Sequence, residues 1–174
     1  MFTVVEMRKA VGAGIVIGVA ADLSSRIGGL WGALAFSIGL LVVCACGLSL
    51  FTGKVGAAKF TDLKYLEAIL ALNVWGVMLV RLICLFPPLL VNSLWCGFLV
   101  HCGVVLFARG FWAGTIMCVW AFVAASYTHC IAMVYSNPNA IDWLVVVGGN
   151  SLGALMANWV GIERPKERAD TSKN

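Results

Sequence analysis

The two histidines of this chain, His101 and His129, are the residues best suited to proton chemistry. An imidazole titrates close to neutral pH and can exchange a proton with a bound weak acid. Both lie in long apolar stretches, where an imidazole is costly unless it is paired or lines a wet cavity. The polar run Ser126-Tyr127-Thr128-His129 predicts a broken helix whose freed backbone groups face a cavity. The alternative for each histidine is a bond to a backbone carbonyl one turn away.

Other reactive side chains point to no enzyme. The seven cysteines all lie in apolar segments, and the only close pair, Cys44 and Cys46, has a C-x-C spacing, so we expect small apolar fillers. A haem held by His101 and His129 is conceivable in a helical bundle, but it leaves the repeat described below unexplained. Because the sequence has no Walker loop, nucleotide-binding glycine motif or Ser-His-Asp order, we expect no catalytic residue, metal or cofactor.

Composition names the solvent around these groups. The 174 residues are 61% hydrophobic and 11% charged, with a mean hydropathy of +0.97. An average soluble domain carries about 25% charged residues, and one of this size cannot hide so much apolar surface. Soluble enzymes, nucleic-acid binders and disordered chains are therefore excluded. Continuous apolar runs, without the alternation of β-barrel strands, predict an all-α integral membrane protein in the lipid bilayer.

The apolar runs divide into six predicted spans, since a helical span needs about 20 residues. They place a transmembrane domain at residues 1–162 and a charged cytoplasmic tail at 163–174. Arg8 and Lys9 before the first run also fit a cleaved signal peptide, but Glu6 and the repeat argue against that alternative. The predicted spans are Ala10–Ala21, Leu30–Leu48, Leu66–Leu85, Leu89–Ala108, Trp112–Tyr135 and Trp143–Ile162.

Basic residues predict the orientation of these spans. With a cytoplasmic N-terminus, ten Lys and Arg residues lie inside and two, Arg26 and Arg81, lie outside. The net charge of +4 then reports topology rather than nucleic-acid binding. We expect a multi-pass protein of the cell (inner) membrane with both termini in the cytoplasm. The ten are Arg8, Lys9, Lys54, Lys59, Lys64, Arg109, Arg164, Lys166, Arg168 and Lys173.

The sequence also contains signs of an internal repeat. The N-x-x-G segment Asn73–Gly76 resembles Asn150–Gly153 at an offset of 77 residues, and the same offset carries Thr52 onto His129. Two glycine pairs, Gly12 with Gly18 and Gly97 with Gly103, have equal spacing. Three spans followed by three similar ones run in opposite directions through the bilayer. We therefore predict a 3+3 inverted repeat, about 8–85 and 89–162, which is typical of transport proteins.

Several segments resemble the formate/nitrite transporter family. Phe36–Leu40 and Gly47–Gly53 are similar to its F-S-L-G-L and G-x-x-L-F-T segments, and Ser126–Ala132 is similar to its G-F-E-H-S-I-A segment. The paired N-x-x-G segments match its G-N-x-x-G repeats. The resemblance implies an aquaporin-like protomer with broken second and fifth helices. It also implies a homopentamer in which each protomer has a pore for formate, nitrite or hydrosulfide.

The resemblance further implies roles for particular residues. Departures are Thr128 where the family has glutamate, His101 where it has asparagine, and a connection reduced to Pro87-Pro88. The implied pathway comprises an outer constriction of Phe36 and Phe122, an inner constriction of Leu40 and Leu50, the break residues Phe51 and Thr52, the central His129, and Thr128 and His101.

A transport mechanism follows from the same groups. Moving a bare anion into hydrocarbon costs on the order of 20 kcal/mol before relaxation, so two apolar rings exclude ions while a neutral weak acid crosses. We expect Thr52 and His129 to bind the anion between the rings, with proton exchange at His129. The predicted function is proton-linked transport of small monovalent anions of weak acids, with formate or nitrite foremost. The alternative is a non-conducting membrane scaffold or complex subunit with the same fold.

Overall fold

The computed structural model describes residues 3–56, 58–59, 62–136 and 138–165, and within these ranges the regular structure is helical, without a strand. Five helices are long and apolar enough to cross a membrane. A shorter apolar helix, α6, covers Trp112–Ala124. The five long helices are α1 (Val4–Ile27), α2 (Gly29–Cys46), α4 (Leu63–Ile83), α5 (Pro88–Ala108) and α8 (Ala140–Trp159).

Five of the six predicted spans overlap one of these long helices. The predicted fifth span, Trp112–Tyr135, is instead divided into α6, the short helix α7 (Cys130–Met133) and a 3₁₀ turn (Val134–Ser136). The second predicted span also ends early, since α2 stops at Cys46 and a short helix α3 (Phe51–Val55) follows. The predicted tail residues 166–174 lie outside the described residues.

The first helix is twice as long as the 12-residue run predicted for it, because a capping box extends its start. The Thr3 hydroxyl accepts a bond from the Glu6 backbone N–H at 3.2 Å, and the Glu6 carboxylate accepts one from the Thr3 N–H at 2.8 Å. These reciprocal bonds satisfy donors that have no partner within the helix. The helix therefore begins at Val4 and reaches Ile27 before Gly28 ends it.

Glycine contacts show that α1 and α4 run in the same direction. Gly14 packs against the backbone of Asn73, and Gly18, one turn further along α1, packs against Val80. Because both positions advance together, the two helices are parallel neighbours.

The same arrangement joins α5 and α8. Gly149 lies against Ser93, and Gly153, one turn later, lies against the backbone of Phe98. These two helices are therefore also parallel neighbours.

The two parallel pairs run in opposite directions. Gly12, near the start of α1, packs against Val160, which follows the end of α8. At the other end of α1, Arg26 donates a hydrogen bond to Asn92, near the start of α5, at 3.1 Å. The start of α1 thus meets the end of the second pair, and its end meets the start of that pair.

A single apolar core lies between the pairs and includes residues of α1, α2, α5, α6 and α8. Trp95 and Phe98 are its largest fully buried side chains. The cavity between α1, α2 and α5 is apolar and measures only about 10 Å³, which is room for no more than about one water molecule. The centre of the bundle is therefore closed, and larger cavities lie beside the broken helices.

Candidate functional site

The first break separates α2 from α3. Gly47 follows α2 with a left-handed φ of 62°, and the Leu48 N–H donates back to the Val43 carbonyl at 3.0 Å. This pair of features is a Schellman ending, in which a left-handed residue lets the last carbonyls find donors. Leu50 then precedes α3 in an extended conformation.

The Asn73 side chain holds this break. Its Oδ1 accepts a bond from the Phe51 N–H at 2.8 Å, and its Nδ2 donates to the Ser49 carbonyl at 3.0 Å and the Ala10 carbonyl at 2.8 Å. Asn73 is only 7% exposed. One amide thus satisfies three backbone groups that an apolar environment would leave without water.

The second break separates α6 from α7 and has the same construction. Ser126 adopts a left-handed φ of 57°, and the Tyr127 N–H donates back to the Phe122 carbonyl at 2.9 Å. His129 precedes α7 in an extended conformation, as Leu50 precedes α3. The broken helix predicted around His129 is therefore present.

Asn150 holds the second break as Asn73 holds the first. Its Oδ1 accepts a bond from the Cys130 N–H at 2.8 Å. Its Nδ2 donates to the Thr128 carbonyl at 3.0 Å and to the Ser93 carbonyl at 2.8 Å. The only carbonyl of Thr128 is thereby bonded to the asparagine, in the position that Ser49 occupies in the first break.

These bonds correct one predicted correspondence. Gly47 and Ser126, like Leu50 and His129, are 79 residues apart, whereas the two asparagines are 77 apart. The counterpart of His129 is therefore Leu50, and Thr52 lies two residues beyond the matching position. An offset read from one pair of helices does not carry over to the breaks, because loop lengths between elements differ.

The glycine correspondence also changes. A Cβ on Gly14 would overlap the Asn73 carbonyl oxygen, and a Cβ on Gly97 would overlap the Asn150 carbonyl oxygen. Gly14 and Gly97 therefore have the same role, in which the missing side chain lets the asparagine helix approach. Gly12, which was predicted to match Gly97, packs instead against Val160.

His129 caps its own short helix. Its Nδ1 accepts long hydrogen bonds from the backbone N–H groups of Ile131, at 3.3 Å, and Ala132, at 3.5 Å. Since Nδ1 is the acceptor, the neutral ring carries its proton on Nε2. The ring also stacks on Phe122, with 6.1 Å between centroids and 22° between planes. The imidazole is thus oriented from both sides, with its Nε2–H left to bind a ligand.

A cavity of about 410 Å³ between α5, α7 and α8 contains His129. His101 and Arg164 also line it, together with Cys130 and Ser151, and no carboxylate is among its lining residues in the described part of the chain. The two histidines predicted for chemistry therefore share one cavity whose ionisable side chains are mostly basic.

His101 is partly used by the structure itself. Its Nε2 bonds to the Ile162 carbonyl at 2.8 Å, and a carbonyl can only accept, so Nε2 carries a proton. A backbone carbonyl was the alternative expected for this histidine, although the partner lies beyond α8 rather than one turn away. That bond occupies the nitrogen an axial haem ligand would use. Among the described residues, no group of three or more His, Cys, Asp and Glu side chains is arranged to hold a metal ion.

Thr52 lines a different cavity. A cavity of about 290 Å³ lies between α3 and α4, and its lining includes Leu50, Phe51, Thr52 and Asn73. It shares no lining residue with the His129 cavity. The structure therefore does not bring Thr52 and His129 to one cavity, because each belongs to its own break.

The predicted constriction residues fall on three elements. Phe36 and Leu40 are 40% and 52% exposed on α2, one turn apart. Leu50 is partly buried at the first break, and Phe122 is partly buried against the core beside His129. Of the four, Phe122 is the one in contact with the histidine.

One polar network was missed from the sequence. The Tyr127 hydroxyl donates to the Asp22 carboxylate at 2.6 Å, and Arg26 Nε donates to the same oxygen at 2.7 Å. The Arg26 guanidinium also lies 5.2 Å from the centre of the Tyr127 ring, within cation–π range. The available signal was an Asp–Arg pair four residues apart in an otherwise apolar helix. This network ties α1 to the second break, two residues before His129.

A second network was also missed, at the opposite end of α1. Arg8 pairs with the Glu163 carboxylate at 2.7 Å. Arg109 donates to the Glu163 carbonyl at 2.9 Å and to the Ala45 carbonyl, in the last turn of α2, at 3.0 Å. Basic groups at a helix end satisfy its free carbonyls. Residues after α8 are therefore bound to the rest of the bundle.

Known proteins supply no counterpart for this arrangement. No family model, curated protein or solved structure matches the chain. The resemblance to formate/nitrite transporters therefore rests on the segments quoted above and on the site geometry.

Proposed function

We propose that the chain is a transmembrane channel or transporter for small monovalent anions of weak acids, formate or nitrite foremost, linked to protons through His129. One observation carries the proposal: the second break presents an oriented imidazole to a cavity that also contains His101 and Arg164 and no carboxylate. Such a cavity attracts anions, and an imidazole can pass a proton to the bound species.

The proposal includes a six-span 3+3 inverted repeat. It is supported by two breaks with the same Schellman ending and by two asparagines with the same three bonds, Asn73 and Asn150. Opposite directions of the pairs α1/α4 and α5/α8 further support it. In transporters of this kind, broken helices place binding groups near the middle of the bilayer.

The family resemblance gains support from backbone conformation. Gly47 and Ser126 occupy the positions of the glycines that begin the two break segments of formate/nitrite transporters. Both residues have a positive φ here, at 62° and 57°. Glycine adopts this conformation without strain, which explains why such segments contain it. We extend the proposal to an aquaporin-like protomer in a homopentamer.

The mechanism follows from the tautomer of His129. Its Nε2–H donates to the arriving anion while Nδ1 stays bonded to the backbone of α7. Transfer of the Nε2 proton, replaced from water, would produce the neutral acid, which crosses apolar rings far more easily than the anion. Phe122, stacked on the ring, supplies apolar surface next to this step. In this scheme Thr52 is not a second ligand of the same anion, because it lines the other cavity.

Orientation and location are part of the proposal. Arg8 and Arg109 cluster at the end of the bundle that contains the first residues of α1 and the last of α8. Arg26 lies at the opposite end. The positive-inside rule then places the Arg8 end and both termini in the cytoplasm of a cell (inner) membrane.

Formate or nitrite flux into liposomes containing the purified protein tests the proposal. We expect saturable uptake that rises as the outside pH falls from 8 to 5, and its loss in His129→Phe. The matched control is Trp143→Phe, which removes the Nε1 donor to the Cys130 carbonyl beside the same cavity but leaves both imidazoles in place. Transport by His129→Phe equal to wild type would remove the proton role of His129. Absence of flux in a folded wild-type protein would favour the non-conducting scaffold.

A further inference from the structure

The residues that follow α8 form one wall of the His129 cavity. Arg164 lines this cavity opposite the histidine-bearing elements, together with His101 and His129. Glu163, the neighbouring acid, is not among the lining residues, and its carboxylate is paired with Arg8. The wall therefore contributes a permanent positive charge, since an arginine stays protonated at every relevant pH.

The wall is held in place by bonds from three different elements. His101 Nε2 donates to the Ile162 carbonyl at 2.8 Å, and Arg109 donates to the Glu163 carbonyl at 2.9 Å. Arg8 adds the ion pair to the Glu163 carboxylate at 2.7 Å. Two of the three bonds go to backbone carbonyls, so they hold the course of the main chain into Arg164.

The end of α8 directs the chain toward this wall. Gly161 adopts a φ of 99°, and the Ile162 N–H donates back to the Ala157 carbonyl at 3.1 Å, which is again a Schellman ending. Ile162 is completely buried in the core. A buried anchor two residues before Arg164 limits how far that arginine can move from the cavity.

The matching cavity of the first break has no such wall. Its lining, which includes Leu50, Thr52 and Asn73, contains no charged residue. Because both cavities are built beside the same kind of break, the break alone does not account for the positive charge at the second one. His101 and Arg164 are additions to the common construction.

We infer that Arg164 is the specificity-determining charge of a binding site for small monovalent carboxylates in the His129 cavity. The inference rests on the proposed function for its choice of ligand, and it adds the residue that distinguishes an anion from a neutral molecule of the same size. Arg164 binds the carboxylate by charge and hydrogen bonding, whereas the two imidazoles orient and protonate it.

Histidine resonances offer a direct readout, because the chain has only two histidines and both line the cavity. The full chain, labelled with ¹⁵N-histidine in lipid nanodiscs, is titrated with sodium formate at constant ionic strength. Formamide, which is neutral and similar in size, is titrated in parallel. We expect saturable shifts of the imidazole resonances with formate. Arg164→Gln should raise the apparent Kd for formate about three- to tenfold and leave that for formamide unchanged.

Arg81→Gln is the matched control. Arg81 is also exposed, but it lines the separate cavity between α1 and α4, so the same loss of charge there should leave formate binding as in wild type. Exposed charges contribute little to stability, so both variants should fold. Equal formate affinity for Arg164→Gln and wild type, an equal loss for formamide, or no saturable shift in wild type would each overturn the inference.

The outcomes separate this inference from the proposed function. Arg164-dependent formate binding without any flux in liposomes would leave the binding site and remove the transporter. Formate flux with unchanged affinity in Arg164→Gln would leave the transporter and remove the role of Arg164.

Discussion

The first and second breaks have the same backbone bonds but different side chains around the cavities beside them. At the first, Leu50 precedes the short helix, and the adjoining cavity is lined by uncharged residues. At the second, His129 takes the equivalent place, and the cavity gains His101 and Arg164. Shared construction thus carries the fold, and a few substituted side chains carry the chemistry.

The breaks also differ in how they are tied to the rest of the protein. Tyr127 of the second break bonds to Asp22 of α1, whereas its counterpart Leu48 is apolar and buried. An additional polar tether beside His129 suggests that the second break must be held more rigidly than the first. Binding and proton transfer require such fixed geometry.

The largest effect should come from removing the asparagines. Asn150→Leu leaves the Cys130 N–H and the carbonyls of Thr128 and Ser93 without their partner, so we expect a loss of about 3–5 kcal/mol in the free energy of unfolding. Asn73→Leu should cost about as much for the same reason. Denaturant unfolding in mixed micelles measures both.

Asn158→Leu serves as the control for these variants, because Asn158 is exposed on the same helix as Asn150. It should change the stability by less than about 0.5 kcal/mol. A large loss for only one of the two asparagine variants would break the comparison between the breaks.

The glycine contacts should give the next largest effect. Gly97→Ala forces a Cβ into the Asn150 backbone, and we expect a loss of about 3 kcal/mol. Gly14→Ala should behave alike against Asn73. Gly148→Ala, which has open space around its Cβ, is the control and should be neutral or slightly stabilising by the same unfolding measurement.

Removing the tyrosine hydroxyl sharpens the difference between the breaks. Tyr127→Phe deletes the bond to Asp22 at 2.6 Å, and we expect a loss of about 2 kcal/mol because the acceptor is charged and partly buried. Hydrogen exchange should rise in residues 126–133 and stay unchanged in the first break. Uniform exchange in both breaks would show that the tether does not hold the second one.

The smallest effect should come from exchanging the left-handed residues. Ser126→Gly relieves a positive φ and should stabilise the protein by up to about 1 kcal/mol, whereas Gly47→Ser should destabilise it by about 1 kcal/mol. The two changes have opposite signs only if both positions have the same backbone conformation in the bilayer. Thermal unfolding of the pair, compared with wild type, measures the signs.

Much of the architecture could be predicted from periodic and compositional signals. Long apolar runs indicated helices, and the polar residues around His129 indicated a break, because lipid does not tolerate unbonded backbone. The Asn73 and Asn150 motifs were also visible as a repeat. The register was not, since Thr52 and His129 are 77 residues apart in sequence but do not occupy equivalent positions.

The sequence by itself determined the solvent, the helices and the places where two of them break. Those properties depend on hydropathy, on left-handed positions and on short-range bonds, all of which are local. Only the tertiary structure decided that His101, His129 and Arg164 line one cavity while Thr52 lines another. That decision belongs to packing, because contacts between residues as distant as Arg8 and Glu163 depend on the directions of whole helices.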